Sequence, residues 1–344
     1  GAKTWVDNEN QDGKRPESIT INLLANGTKV QNKTVTAAES WSWSFENLDK
    51  YEAGKEIVYT ITEDAVPEYT SAVTGYNVTN THEIEKVTVS GSKTWNDNDN
   101  QDGKRPESIT INLLANGKQA QSKTVNAKDG WSWSFENLDK YEAGKEIVYT
   151  INEDAVPEYT SAVTGYNVIN THTTETLTIS GVKTWNDDND RDGMRPASIT
   201  VTLLANGTAA RSATVSAADG WSWTFTGLPR YEGGREIAYT ITENTVAGYT
   251  AATAGYNLIN THEPAHVNVT GTKVWEDSGN VDGLRPASVT VNLLANGTVV
   301  NTQTVTGTGN SWAFAFNNLY RYENGREITY TVEEMPVTGY TTVV

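Results

Sequence analysis

The sequence predicts an all-β chain of tandem immunoglobulin-like antiparallel β-sandwich domains, and three observations predict it. The segment KTWNDNDNQDGKRPESITINLLANG that starts at Lys93 returns in modified form at Lys3, Lys183 and Lys273, a constant spacing of 90 residues. A period of that length is a whole small domain, longer than most solenoid repeats. Within each period, apolar and polar residues alternate over short runs bounded by turn dipeptides, which is the signature of half-buried strands. No window carries sustained helical periodicity with caps. About seven short strands per period is the strand count of an immunoglobulin-like Greek key.

The second period gives the elements in order. Val87, Val89, Gly91, Lys93 and Trp95 share a parity and form an opening strand. Ile109, Ile111 and Leu113 alternate with polar residues, and Asn116-Gly117 then supplies a strong hairpin signal. Trp131, Trp133 and Phe135 alternate with serines as another half-buried strand. Ala143-Gly144 turns the chain into Ile147, Tyr149, Ile151 and Glu153; Pro157 ends that element, and Gly165 precedes a closing strand from Tyr166 to Asn170.

These signals divide the chain into domains at 1–83, 84–173, 174–263 and 264–344. The junctions are short and polar, Thr81-His82-Glu83, Thr171-His172-Thr173-Thr174 and Thr261-His262-Glu263-Pro264, which implies an extended, semi-stiff array. Gly1 aligns with Gly91, so the first domain lacks the leading valines. In the fourth, one inserted residue aligns Glu334 with Glu243 and moves the expected closing asparagine beyond Val344. The expectation is a window from a longer array, its open sheet edge completed by a neighbouring segment.

Composition narrows the function. The chain has 344 residues, 11 Trp and 16 Tyr, enough for real cores despite its polar average. With 26 basic against 43 acidic residues, a net charge of -17 and no basic block, neither a nucleic-acid partner nor an anionic membrane surface is indicated. The absence of cysteine excludes disulfides, thiolate metal sites and thiol nucleophiles. No apolar run is long enough to span a membrane.

The chemistry lies in polar residues placed in line with core positions. Lys93 shares its face with Val89 and Trp95, Glu153 with Tyr149 and Ile151, and Asn170 with Tyr166 and Val168. An amine, a carboxyl and a carboxamide thus face one apolar interior, where lone charges are costly and neutral or paired forms are favoured. A neutral buried amine is a nucleophile, and a neighbouring acid can polarise the carboxamide and shuttle protons as ammonia leaves. Spacing alone leaves two readings open, a covalent Lys–Asn link or a buried non-covalent Lys–Glu–Asn cluster.

At these positions, flanked by KTWNDNDNQDGKRP, YTINED and NVINTH, the chain resembles the B-type repeats of Gram-positive collagen adhesins, the CnaB-like family. The resemblance runs through essentially the whole chain as four tandem copies. It implies an intramolecular isopeptide bond between the lysine and the asparagine, assisted by the glutamate, in domains that act as stalks. Carried onto this sequence, the sets are Lys3-Asn80 with Glu63, Lys93-Asn170 with Glu153, and Lys183-Asn260 with Glu243; Lys273 and Glu334 are present without an acceptor. The expected role is a structural, non-enzymatic spacer in an extracellular, cell-wall-associated surface protein or fibre. Its partners would be the neighbouring domains of the same chain, with host matrix protein contacted through other regions. The alternative is an adhesin module that itself binds host matrix protein.

Other candidate sites have plainer explanations. Asn98, Asn100, Asp102 and Gly103 match the start of a calcium loop, as do Asp188, Asp190, Asp192 and Gly193, but Ile109 and Ile199 stand where the bidentate acid belongs. A polar turn with Arg105 or Arg195 pairing nearby acids is the simpler reading. Strict alternation assigns Trp131, Trp133 and Phe135 to the core in preference to a sugar platform. His82, His172 and His262 occur once per junction, so no metal site or other cofactor is indicated, and hinge contact or solvent exposure accounts for them. Asn26-Gly27-Thr28 is a glycosylation sequon that also reads as a turn, and no serine has the partners of a catalytic triad.

Overall fold

The computed structural model describes residues 1–344. It comprises two compact units, Gly1–Thr174 and Glu175–Val344, each carrying two of the sequence repeats. Every repeat encloses its own cluster of buried apolar side chains. The second repeat contains all the elements and serves as the reference.

Two sheets face each other. One contains, side by side, the fourth strand Ser132–Asp139, the opening strand Lys86–Asn96, the closing strand Asn167–Thr171 and the edge strand Thr160–Thr164. The other contains the third strand Lys118–Asn126, the second strand Ser108–Ala115 and the fifth strand Tyr149–Glu153. A two-residue hairpin, Tyr141–Glu142 with Lys145–Glu146, projects beside them. The alternating residues expected in the core are there: Val89, Ile111, Leu113, Trp133, Ile151 and Val168 are each at most 6% exposed.

One pairing departs from the all-antiparallel expectation. The opening strand pairs antiparallel with the fourth strand through Ser92, then parallel with the closing strand from Lys93 to Asn96. Parallel pairing requires the intervening chain to cross over and return, and here that crossover is the rest of the repeat. At the changeover sits Gly91. A Cβ there would lie 1.7 Å from the Tyr166 carbonyl oxygen and 2.9 Å from the Trp133 ring, so only glycine lets the closing strand start against the opening one.

Trp131 also departs from expectation. It is not part of the fourth strand, because a short 3-10 turn, Ala127–Asp129, precedes it, and its own φ is 53°. Its carbonyl accepts the Lys93 N–H at 2.7 Å, and its ring meets Trp95 edge-on at 5.1 Å. Equivalent 3-10 turns occur at Ala37–Glu39 and Ala217–Asp219. In the first repeat the segment that corresponds to the fourth strand forms an isolated bridge, Ala2 with Ser42, and Gly1 and Trp43 exchange backbone hydrogen bonds at 3.0 Å.

The loop after the opening strand is a closed polar turn, as the simpler reading held. Asp97 takes two bonds from Arg105, at 2.6 and 3.0 Å, and one from the Tyr159 hydroxyl at 2.8 Å, while Asn100 Oδ1 accepts the Arg105 N–H. Burial alone would raise the Asp97 carboxyl, but Arg105, the Asn100 N–H and Tyr159 together bring it down to about 2. His172 joins Asp102 to the Glu158 carbonyl, and His82 does the same with Asp12 and Glu68, so these histidines are contacts. Within the first unit, Asp12 also accepts the Glu85 N–H of the second repeat, and Gln11 O accepts the N–H of Gly144 at the tip of the small hairpin. In the second unit Asp192 and Arg191 receive Ala265 and Gly325 in the same way.

Two expectations follow. Gly91→Ala should destabilise the second repeat by about 1–3 kcal/mol through overpacking. Amide hydrogen exchange in the full chain should then quicken at Asn167–Thr171, and unchanged protection there would contradict the close-approach argument. Because the Asp97 carboxyl is depressed in the fold, its contribution is complete above the ordinary value of 3.8 and is lost as pH falls towards about 2. Protection of the 97–105 loop should fall across that window, and Asp97→Asn should remove the acid-sensitive step while lowering protection at neutral pH.

Candidate functional site

The opening strand, the closing strand and the facing sheet turn three polar side chains into one buried interior. In the parallel register Lys93 lies opposite Val168 and Trp95 opposite Asn170, so Lys93 and Asn170 share the inner face of one sheet, two positions apart. Glu153 comes from the other sheet, where it ends the fifth strand opposite Ile111. Lys93 Nζ donates to Glu153 Oε1 at 2.6 Å, with 0% and 1% of the two side chains exposed. The same contact joins Lys3 to Glu63 at 2.5 Å and Lys183 to Glu243 at 2.8 Å.

Burial is the dominant influence on these lysines. It lowers Lys3, Lys93 and Lys183 below the ordinary lysine value, and hydrogen bonding and charge from the paired glutamate restore only part of the loss. The flat face of a tryptophan two residues on lies within reach of each amine, with Lys93 Nζ 4.7 Å from the Trp95 ring centre. That ring walls the amine off from the loop.

The asparagines are the unusual members. Asn80, Asn170 and Asn260 are each 0% exposed, and neither the nitrogen nor the oxygen of any of the three carboxamides has a hydrogen-bond partner. A buried amide left unpaired costs about 1–3 kcal/mol. Three repeats carry the same uncompensated group at the same place. The arrangement combines a desolvated amine, an acid in contact with it and, on the amine's face of the sheet, a carboxamide held by no hydrogen bond.

In the first three repeats the expected lysine and glutamate are in contact, and the expected asparagine is buried on the lysine's face of the sheet. The fourth differs: Lys273 contacts Glu334 at 2.9 Å, but its side chain is 14% exposed. Its opening strand His266–Val274 pairs with Ser311–Tyr320 alone, and a cavity of about 880 Å³ borders Lys273, Val291, Phe314 and Glu334. Sequence reasoning missed one participant. Ser161, on the solvent-exposed edge strand, donates its hydroxyl to Glu153 Oε2 at 2.9 Å, and Ser71 does the same to Glu63. The only sequence signal was the constant separation of eight residues from the glutamate.

Comparison with known proteins identifies the family of the repeats. The family model described as the Cna protein B-type domain matches residues 1–81, 89–171, 179–261 and 269–344. A collagen adhesin of Staphylococcus aureus is 39% identical over 353 residues, covering 100% of this chain, which spans 30% of that protein's length. The crystal structure of two B repeat units of the collagen binding protein of Staphylococcus aureus matches 100% of this chain and 94% of its own at 37% identity, with a TM-score of 0.50. With matching segments that together account for nearly all its residues, this chain belongs to the Cna protein B-type domain family, in four successive copies.

Proposed function

We propose that the chain is a stalk segment of a Gram-positive surface adhesin, each of its first three repeats welded internally by an isopeptide bond. The links join Lys3 to Asn80, Lys93 to Asn170 and Lys183 to Asn260, with Glu63, Glu153 and Glu243 as proton carriers. The observation that carries this reading is the fully buried, unpartnered carboxamide in the same interior as a desolvated lysine–glutamate pair. A purely structural polar cluster would be expected to satisfy its amide.

In the proposed step the neutral lysine Nζ attacks the asparagine Cγ. The Nζ–Cγ bond forms, the Cγ–Nδ2 bond breaks, and the glutamate passes a lysine proton to the departing nitrogen, which leaves as ammonia. Each site reacts once, so the chain is not a turnover enzyme. The link would close a loop of about 80 residues and, by analogy with disulfide loop closure, stabilise a repeat by about 4–5 kcal/mol. The adhesin and its cell-wall location are carried over from the similarity to the collagen adhesin, and no helix is long and apolar enough to cross a membrane. The name of that relative also motivates a second reading, in which these repeats themselves bind a host matrix protein.

Intact mass spectrometry should find the chain lighter than its calculated mass by one ammonia per bond. Asn170→Ala and Glu153→Gln should each restore one ammonia, and Asn170→Ala should lower the second repeat's stability by about 4 kcal/mol on the loop-closure argument. The full calculated mass in the unaltered chain would refute the covalent reading. A solid-phase assay on the same chain separates the two functional readings: a spacer gives no saturable binding to collagen or fibronectin, whereas a ligand-binding module does.

A further inference from the structure

The repeats differ at one position beside the site. Ser71 and Ser161 are the cross-strand partners of Asn80 and Asn170, and each donates its hydroxyl to the second oxygen of the glutamate at 2.9 Å. In the fourth repeat Thr342 also donates to its glutamate, at 2.8 Å, but to Glu334 Oε2, the oxygen that Lys273 itself meets. The third repeat has Ala251 there, opposite Asn260. Its glutamate has turned: Lys183 Nζ now contacts both Glu243 oxygens, at 2.8 and 2.9 Å, whereas Lys93 meets only one oxygen of Glu153.

We propose that Ser71 and Ser161 are positioning residues for bond formation, and that the third repeat, which has Ala251 instead, closes its link more slowly than the second. This rests on the reading of the lysine, glutamate and asparagine as a bond-forming set. A carboxylate that presents both oxygens to an amine is a fork that holds the ammonium form. The ammonium has no lone pair with which to attack the asparagine Cγ. A hydroxyl that engages one oxygen breaks the fork. It also ties the carboxyl to the strand opposite the asparagine, where the proton taken from Nζ must reach Nδ2 as the Cγ–Nδ2 bond breaks and ammonia leaves. Loss of one such hydrogen bond corresponds to about a tenfold slower step.

The test is cell-free synthesis of the full chain, quenched at intervals into denaturant and digested, with branched Lys–Asn peptides measured against their linear counterparts for each repeat. Ala251→Ser should speed closure of the third repeat about tenfold relative to the unaltered chain. Ser161→Ala should slow the second repeat by a similar factor, and Ser161→Thr, which keeps a hydroxyl at that position, should restore it. The first repeat of the same molecules supplies an internal clock. If Ser161→Ala impairs folding, Ala251→Ser decides alone, because it only adds a hydroxyl. Branched peptides that form at the same pace with and without the hydroxyl would overturn the positioning role and leave the bond intact. Absence of branched peptide from every repeat would overturn both this proposal and the reading beneath it.

Discussion

A lysine and a glutamate removed from water and pressed together between two sheets are the constraint around which each repeat is arranged. Separating such a pair inside a protein is costly, and placing it there at all gives up two hydration shells. The surrounding structure has to hold the contact in register. Three elements meet that demand: the opening strand carries Lys93, the fifth strand of the opposite sheet carries Glu153, and the Trp95 ring closes the third side. The backbone of Lys93 is fixed as well, since its N–H donates to Trp131, a residue held in the left-handed region beside a capped 3-10 turn.

The same strand anchors the outer contacts. Two residues beyond Trp95, Asp97 gathers Arg105 and Tyr159, and Tyr159 packs edge-on against Trp95 at 5.0 Å. The loop that ends the opening strand is therefore fastened to the chain just before the edge strand. In the first repeat the corresponding loop also accepts backbone donors from the second, through Asp12 and Gln11. One polar turn thus braces the interior site and meets the next repeat. Asn100 and Asp102, two of the residues with calcium-like spacing, are engaged in such protein contacts in the second repeat.

The repeat period was legible from the recurring segment, and the strand faces with the inward lysine, glutamate and asparagine from local alternation. Strand parity alone placed Lys93 with Val89, and the structure buries both. What local pattern does not encode was missed. The parallel pairing of Lys93 through Asn96 with the closing strand is set by a contact between residues some 75 apart in sequence, and Gly91 permits it through a clash visible only in three dimensions. Trp131 looked like a strand residue because its spacing to Trp133 is two, yet the turn before it determines its backbone. Ser161 lies on an edge strand exposed at every position, so no hydrophobic alternation marked that strand or its inward hydroxyl.

The pairing of the two end strands bears on what a stalk must do. Tension along the chain enters the second repeat at the start of the opening strand and leaves after the end of the closing strand. These strands are parallel, so the two pulls run in opposite directions along neighbouring strands and load their hydrogen bonds in shear, together. Only four residue pairs, Lys93 with Val168 through Asn96 with Thr171, share that load, and each bond contributes about 1 kcal/mol net. So short a ladder is a weak place for force to cross. The lysine and the asparagine lie within this ladder, on its buried face. A covalent link between them would carry tension directly from the strand where it enters to the strand where it leaves, and would spare the sheets and core between.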